Sequence, residues 1–331
     1  MKILWLYQFM PNYCFDDWLH LHYANWINES GLAEVKTYGP KIHESAFPKL
    51  MIKEYVESNT LERLHKIYKF DVIICNTKSR MFAHYNPLIT PRKEIGCWLP
   101  GDFKNWNKTP KIMIEEDYQY EIDDYWYFNM GFNLILQRHR SNWKRGIENI
   151  NNKCKHEWLP FSVDTNVFYP YTNVSRKNKL CLVGSANPYF YVGRDLVGKT
   201  VPKDRLDSFT GFSVEERITG ENYPLNLNSY ISHVCCSLKY NITPAKIFEI
   251  MACGSLLFTD VGEYGLEELF EERCYIQYKH EIKDILEKTN YILSGDNKIK
   301  MMADKGSQIV LEKHNHKVRT LKLLEKIKEI S

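Results

Sequence analysis

The chain has 331 residues, enough for two α/β domains or one large one. Its 44 basic and 41 acidic residues leave a net charge of +3, too balanced to select a polyanionic partner. Hydrophobic residues at 44% and charged residues at 26% exclude a disordered or fibrous chain and fit a water-soluble globular one.

Nine cysteines, an odd number without C-x-x-C spacing, argue against a disulfide framework. Cys75, Cys181, Cys235, Cys236 and Cys253 stand in apolar runs, where cysteine behaves as a small buried hydrophobe. The opening MKILWLYQFMPNY reads as a first strand rather than an export signal, and no run approaches 18 apolar residues. A soluble, cytoplasmic α/β protein is therefore expected. The sequons at Asn28, Asn107, Asn173 and Asn241 carry no weight without an export signal.

In chain order, residues 2–9 read as a strand, 16–28 as a helix, 34–38 as a strand and 54–68 as a helix, with Asp71 to Cys75 a fully apolar strand. Alternation at this spacing predicts βαβ units and a mainly parallel sheet. Two more strands are expected at 95–99 and 133–137. Between them the aromatic, acidic stretch 114–128 lacks D-x-D spacing and reads as a solvated surface rather than a metal site. The polar, helix-poor segment 170–178 reads as a linker.

The second half restarts with a strand at 179–183, then Gly184 and Ser185, then a loop carrying Tyr189, Tyr191 and Arg194 into a helix near Gly193. A strand follows at 206–211. The stretch 239–270 reads as helix, turn, buried strand and helix. Asn241 and Thr243 are its candidate N-caps, Pro244 suits a first helical position, and Gly254 is the stop. A strand at 275–278, a helix at 279–293 and one long basic helix over 297–330 complete the chain.

The run KIFEIMACGSLLFTD (246–260), followed by GLEELF, resembles the donor-binding motif of the GT-B glycosyltransferases, with the nearest likeness to the CgeB-like branch, whose pattern is about Arg-x-Phe-Glu-Ala-Met-Ala-Cys-Gly. The stretch 230–240, with HVCCSLKY, resembles the strand that precedes this motif in the family, and EWLPFSVDTNVFY (157–169) resembles that superfamily's interdomain crossover. The resemblance implies two Rossmann-like domains facing across a cleft. The first would span 1–169 on the acceptor side. The second, 170–310, would hold a nucleotide-sugar, and 311–331 would form a helix packing back on the first domain.

By the same resemblance Glu249 would hold the ribose hydroxyls. Lys246, where the family more often has arginine, would face the diphosphate with Arg194, Gly184, Ser185 and Tyr191. The expected activity is a metal-independent transfer from a UDP-sugar or GDP-sugar to a glycan, protein or small-molecule hydroxyl, with no permanently bound cofactor. Asp102, in WLPGDF, is the expected base, in a context distantly similar to the phage DNA β-glucosyltransferase. Asp16, Asp17, His139, Arg138 and Arg140 are further first-domain candidates. Retaining relatives carry a second glutamate eight residues before the ribose glutamate; Asn241 stands there, which weakens a retaining assignment and, with Asp102 available as base, tilts the expectation toward inversion. Transfer to hydroxymethylated bases in DNA, and a non-catalytic GT-B-like protein, stay open as alternatives.

Overall fold

The computed structural model describes residues 1–6, 19–39, 59–76, 99–115, 124–141, 143–144, 154–189, 191–210, 218, 220–237, 241–270 and 274–330. The chain divides into two compact units. One comprises Met1–Arg138, Asn142–Leu159 and Thr320–Ser331, the other His139–Ser141 and Pro160–Arg319.

The first unit is built on a parallel six-stranded sheet of order β2-β1-β3-β4-β5-β6, formed by β1 (Lys2–Leu6), β2 (Glu34–Tyr38), β3 (Val72–Asn76), β4 (Lys111–Glu115), β5 (Leu134–Gln137) and β6 (Lys155–Trp158). Ile3, Leu4, Trp5 and Leu6 are all fully buried, as expected of a strand covered on both faces. Helices α1 (Leu19–Ser30), α2 (Leu61–Tyr68) and α3 (Asp124–Asn129) connect them. The helix expected over 54–68 begins at Leu61 among the described residues, because Thr60 caps it by accepting from the Arg63 amide. Of the strand expected at 95–99, only Leu99 lies within the described residues, where it is not in a strand.

The sequence reading missed β4. It pairs with β3 and β5, yet it opens on a charged residue. Lys111 is buried all the same: its ammonium donates to the carbonyls of Phe103 (2.8 Å) and Met130 (2.7 Å) and lies over the Phe103 ring. Burial pushes its pKa down to about 8.

The second unit repeats the scheme with a parallel five-stranded sheet of order β11-β10-β9-β7-β8. Its strands are β7 (Lys177–Val183), β8 (Leu206–Phe209), β9 (Tyr230–Val234), β10 (Leu256–Asp260) and β11 (Tyr275–Tyr278). Its helices are α4 (Val192–Thr200), α5 (Asn222–Asn228), α6 (Lys246–Ala252), α7 (Leu266–Leu269), α8 (Ile282–Ile292) and α9 (Asn297–Lys313). Leu180, Leu182, Val234, Leu256, Phe258 and Ile285 are among the residues of its core.

Gly254 sits at φ +71° just past α6, and the amides of Gly254 and Ser255 return to the carbonyls of Met251 and Ile250. This left-handed stop turns the chain directly into β10. The start of α6 differs from expectation. The helix opens at Lys246, while the Thr243 hydroxyl donates to the Tyr264 carbonyl instead of capping.

The single helix expected at the C-terminus is two, α9 and α10 (His316–Lys328). Between them Val163 donates to the His314 carbonyl and accepts from the His316 amide, so the backbone there serves a strand-like bridge. The Asn315 side chain then restarts the helix by accepting from the Val318 amide at 2.8 Å. Among the described residues no helix is long and apolar enough to cross a membrane.

Candidate active site

The residues of interest in the second unit gather at the carboxyl ends of β7, β9 and β10, where parallel α/β sheets place their ligands. Strand β7 runs out at Val183 into Gly184, whose φ of +92° suits a residue without a Cβ. A Cβ there would stand 3.6 Å from Arg194 Nη1 and 3.7 Å from Lys246 Nζ. Two cations from different helices thus flank one glycine.

Arg194 lies in the first turn of α4 and is only 4% exposed. Nη1 donates to the Ser185 carbonyl (3.2 Å), Nη2 points at the Cys235 sulfur (3.8 Å), and the guanidinium stacks over the Tyr191 ring. Its Nε is buried without a partner, and among the described residues no carboxylate pairs with it. Burial is the largest influence on its charge and acts against it, while the opposing pulls of Cys236, Cys235 and Tyr191 require those groups in their ionised forms. Burial likewise pushes the Cys235 thiol up, so at neutral pH that sulfur offers a lone pair rather than an anion. The guanidinium is a charged group held dry. Ser185 also accepts from the Asn187 amide through its hydroxyl.

Helix α4 reaches this position because of Gly193. A Cβ there would come within 2.8 Å of the Tyr278 hydroxyl and 3.1 Å of Asp260 Oδ2. The N-cap residue of α4, Tyr191, makes no side-chain cap hydrogen bond. Asp260, at the end of β10, accepts from the Ser237 amide (2.7 Å) and meets His280 Nε2 (3.2 Å). Burial raises its pKa, against those hydrogen bonds.

Lys246 and Glu249 are one turn apart on α6, and both meet Tyr223 of α5. Lys246 Nζ donates to the Tyr223 hydroxyl at 2.9 Å and stands 4.6 Å above its ring. The hydroxyl in turn donates to Glu249 Oε2 at 2.5 Å. Gly184, Ser185, Tyr191, Arg194, Lys246 and Glu249 are therefore brought together within one unit. Tyr223 was not singled out from the sequence; it stands in a polar stretch, ENYPLNLN, that carries no motif.

The first-unit candidates are placed otherwise. Both oxygens of Asp102 are engaged at the start of α2, accepting from the amides of Leu61 (2.7 Å) and Glu62 (3.0 Å). With Thr60 on the next amide, the first turn of α2 is satisfied from two places 40 or more residues apart. This gives Asp102 an anchoring role at the start of α2 that the sequence reading did not foresee. Replacing it with alanine is expected to lower stability by about 1–2 kcal/mol, as loss of an N-terminal acceptor does. Urea unfolding checks this; unchanged stability with turnover reduced a hundredfold would support the base assignment.

His139 is buried with its ring against Phe161, Arg138 donates to the Leu159 carbonyl, and Arg140 pairs with Glu268. Asp16 and Asp17 lie outside the described residues. Asn241 takes a left-handed φ of +51° before α6.

No curated protein sequence matches the chain. Solved structures do. Sucrose-phosphate synthase from Thermosynechococcus elongatus is similar over 99% of both chains, with a TM-score of 0.67 and 11% identity. HepE from Anabaena, solved with UDP-glucose, gives 0.67 and 11% over 99% of this chain and 100% of its own. A glycosyltransferase from Rickettsia africae gives 0.66 and 11% over 99% and 98%. At such identities the likeness is one of fold. The sequence itself adds that residues 183–325 match the family model described as glycosyl transferase-like. The chain has the fold of the GT-B glycosyltransferases, and the part of it that holds Gly184, Arg194, Lys246 and Glu249 matches a glycosyl transferase-like family.

Proposed function

We propose that the protein moves a sugar from a nucleoside-diphosphate sugar to an acceptor hydroxyl, a glycan or protein-linked glycan. The observation that carries this reading is the approach of Arg194 and Lys246 to the same glycine, with Glu249 two hydrogen bonds beyond Lys246, through the Tyr223 hydroxyl. Departure of a nucleoside diphosphate leaves growing negative charge on the bridging oxygen. Two cations that are already in place stabilise it without reorganising. The start of α4, which carries Arg194, adds backbone N–H groups of the same polarity.

Glu249 is the acceptor for ribose hydroxyls, and Lys246 and Arg194 are the diphosphate ligands. Gly184 and Ser185 give the backbone room for the phosphates. UDP is favoured over GDP because HepE, a structural neighbour, was solved with UDP and with UDP-glucose. Charge neutralisation by side chains supports transfer without a metal. Asn241, where retaining relatives carry glutamate, favours inversion, which the anomeric proton signal of an early product reports.

A thermal-shift screen with UDP, GDP and their sugars, run in EDTA, tests the reading. A ligand at 100 times its dissociation constant stabilises by about 2.7 kcal/mol. Glu249→Ala is expected to erase that shift, since a hydrogen bond to a charged acceptor is worth about 1.5–3 kcal/mol. Absence of a shift with every nucleotide would overturn the proposal.

A further inference from the structure

The hydroxyl of Tyr223 joins the two halves of the site. It receives a hydrogen bond from Lys246 and gives one to Glu249, while its ring carries the Lys246 ammonium above its face. Tyr223 comes from α5, a different element from the α6 helix that bears both charged groups. Its ring is only 7% exposed and is wedged edge-on against Phe168, so the hydroxyl has little freedom to move. Helix α5 is itself fixed. Asn228, fully buried, donates to the carbonyls of Tyr169 and Pro224 and accepts from the Tyr171 amide. Asn226 accepts from the Cys181 thiol and meets His233 Nε2.

We propose that Tyr223 is a positioning residue for nucleoside diphosphates. Its hydroxyl holds the Glu249 carboxylate and the Lys246 ammonium at a fixed separation, so that one ligand carrying both a vicinal diol and a diphosphate is met by both. The chemistry of the chain of hydrogen bonds supports this. An ammonium and a carboxylate one turn apart are free to collapse onto each other as a direct pair. A phenol inserted between them, donating one way and accepting the other, keeps each in place and holds both ready for a ligand. A residue serving packing alone would need the ring but not the oxygen.

The proposal rests on the donor-site reading above, and the test separates the two. Tyr223→Phe keeps the ring and removes the oxygen. Calorimetry on the purified 331-residue protein is expected to show UDP, or GDP if that is the nucleotide bound, weakened about tenfold, with the melting temperature within a few degrees of wild type. In a Glu249→Gln background the same change is expected to cost less than threefold, because the group it orients is already altered. Full additivity would overturn the proposal, as would a Phe variant that binds within twofold of wild type. A lowered melting temperature with unchanged affinity would make the hydroxyl structural, which also overturns it. If the wild-type protein binds no nucleotide, the donor-site reading fails, and this inference fails with it for that separate reason.

Discussion

Replacing Arg194 with methionine is expected to weaken nucleotide binding by about a hundredfold or more while leaving the fold as stable as before, or more stable. Both directions come from one fact. The guanidinium is buried, and among the described residues no carboxylate offsets it, its partners being a carbonyl, a cysteine sulfur and the face of Tyr191. Holding an ion out of water costs several kcal/mol, and a hydrophobic side chain of similar volume avoids that cost. Against this the variant loses one hydrogen bond to the Ser185 carbonyl, worth about 1 kcal/mol.

Binding should move the other way. Removing one member of a desolvated charge pair costs about 2–5 kcal/mol, and each 1.4 kcal/mol is about tenfold in affinity. Calorimetry with UDP or GDP and a melting curve of the same variant read the two effects separately. A variant that is destabilised and binds normally would show Arg194 to be a structural residue.

Acid should unfold the second unit through His233. This side chain lies on β9, 1% exposed, between Ser255 and Asn226. Burial, reinforced by Lys246 and Arg176, lowers its pKa from 6.5 to about 3. A depressed folded-state value means that the unfolded chain takes up the proton first. The stabilisation is complete above pH 6.5 and is lost as the pH falls toward 3. At about 1.4 kcal/mol per unit the loss reaches about 5 kcal/mol, a large share of a domain's stability. Asp260 opposes it in part: its raised pKa means that its own protonation favours the folded state. His233→Gln is expected to flatten the acid limb of stability measured by urea titration from pH 7 to 4. An unchanged slope would contradict the assignment.

The sequence carried the alternation of strands and helices because parallel strands buried on both faces are short, apolar and separated by amphipathic helices. It hid β4 because Lys111 looks like a surface residue and is in fact inside, bound to two carbonyls from distant turns. The division between α9 and α10 was hidden for a related reason. Local propensity across 297–330 is helical throughout, and the break is imposed by Val163, about 150 residues earlier in the chain.

At the site, Arg194, Lys246 and Glu249 were singled out because KIFEIMACGSLLFTD and the order strand, Gly184-Ser185, loop, Arg194 resemble the donor-binding half of the GT-B glycosyltransferases; spacing alone would not have separated them from a solvated helix face. Tyr223 was not, since a hydroxyl bridging two charges leaves no periodic trace. Asp102 is the converse case. Its loop setting suggested chemistry, and only the amides of Leu61 and Glu62, some 40 residues away, reveal the anchoring role.

Arg176 bears on how this protein can be recombined. It lies just before β7, yet its guanidinium donates to the carbonyls of Cys253, Leu227 and Tyr230, and residues 169–171 are tied to Asn228. The stretch ahead of β7 is thus fastened to the closing turns of α5 and α6, the helices that present Tyr223, Lys246 and Glu249. A chimera that grafts this half onto another protein should be spliced at Leu159 and Pro160, where the units part, and not at the polar run before β7. A later junction would supply foreign sequence to the two carbonyl-capped helix ends and loosen the very residues being transplanted.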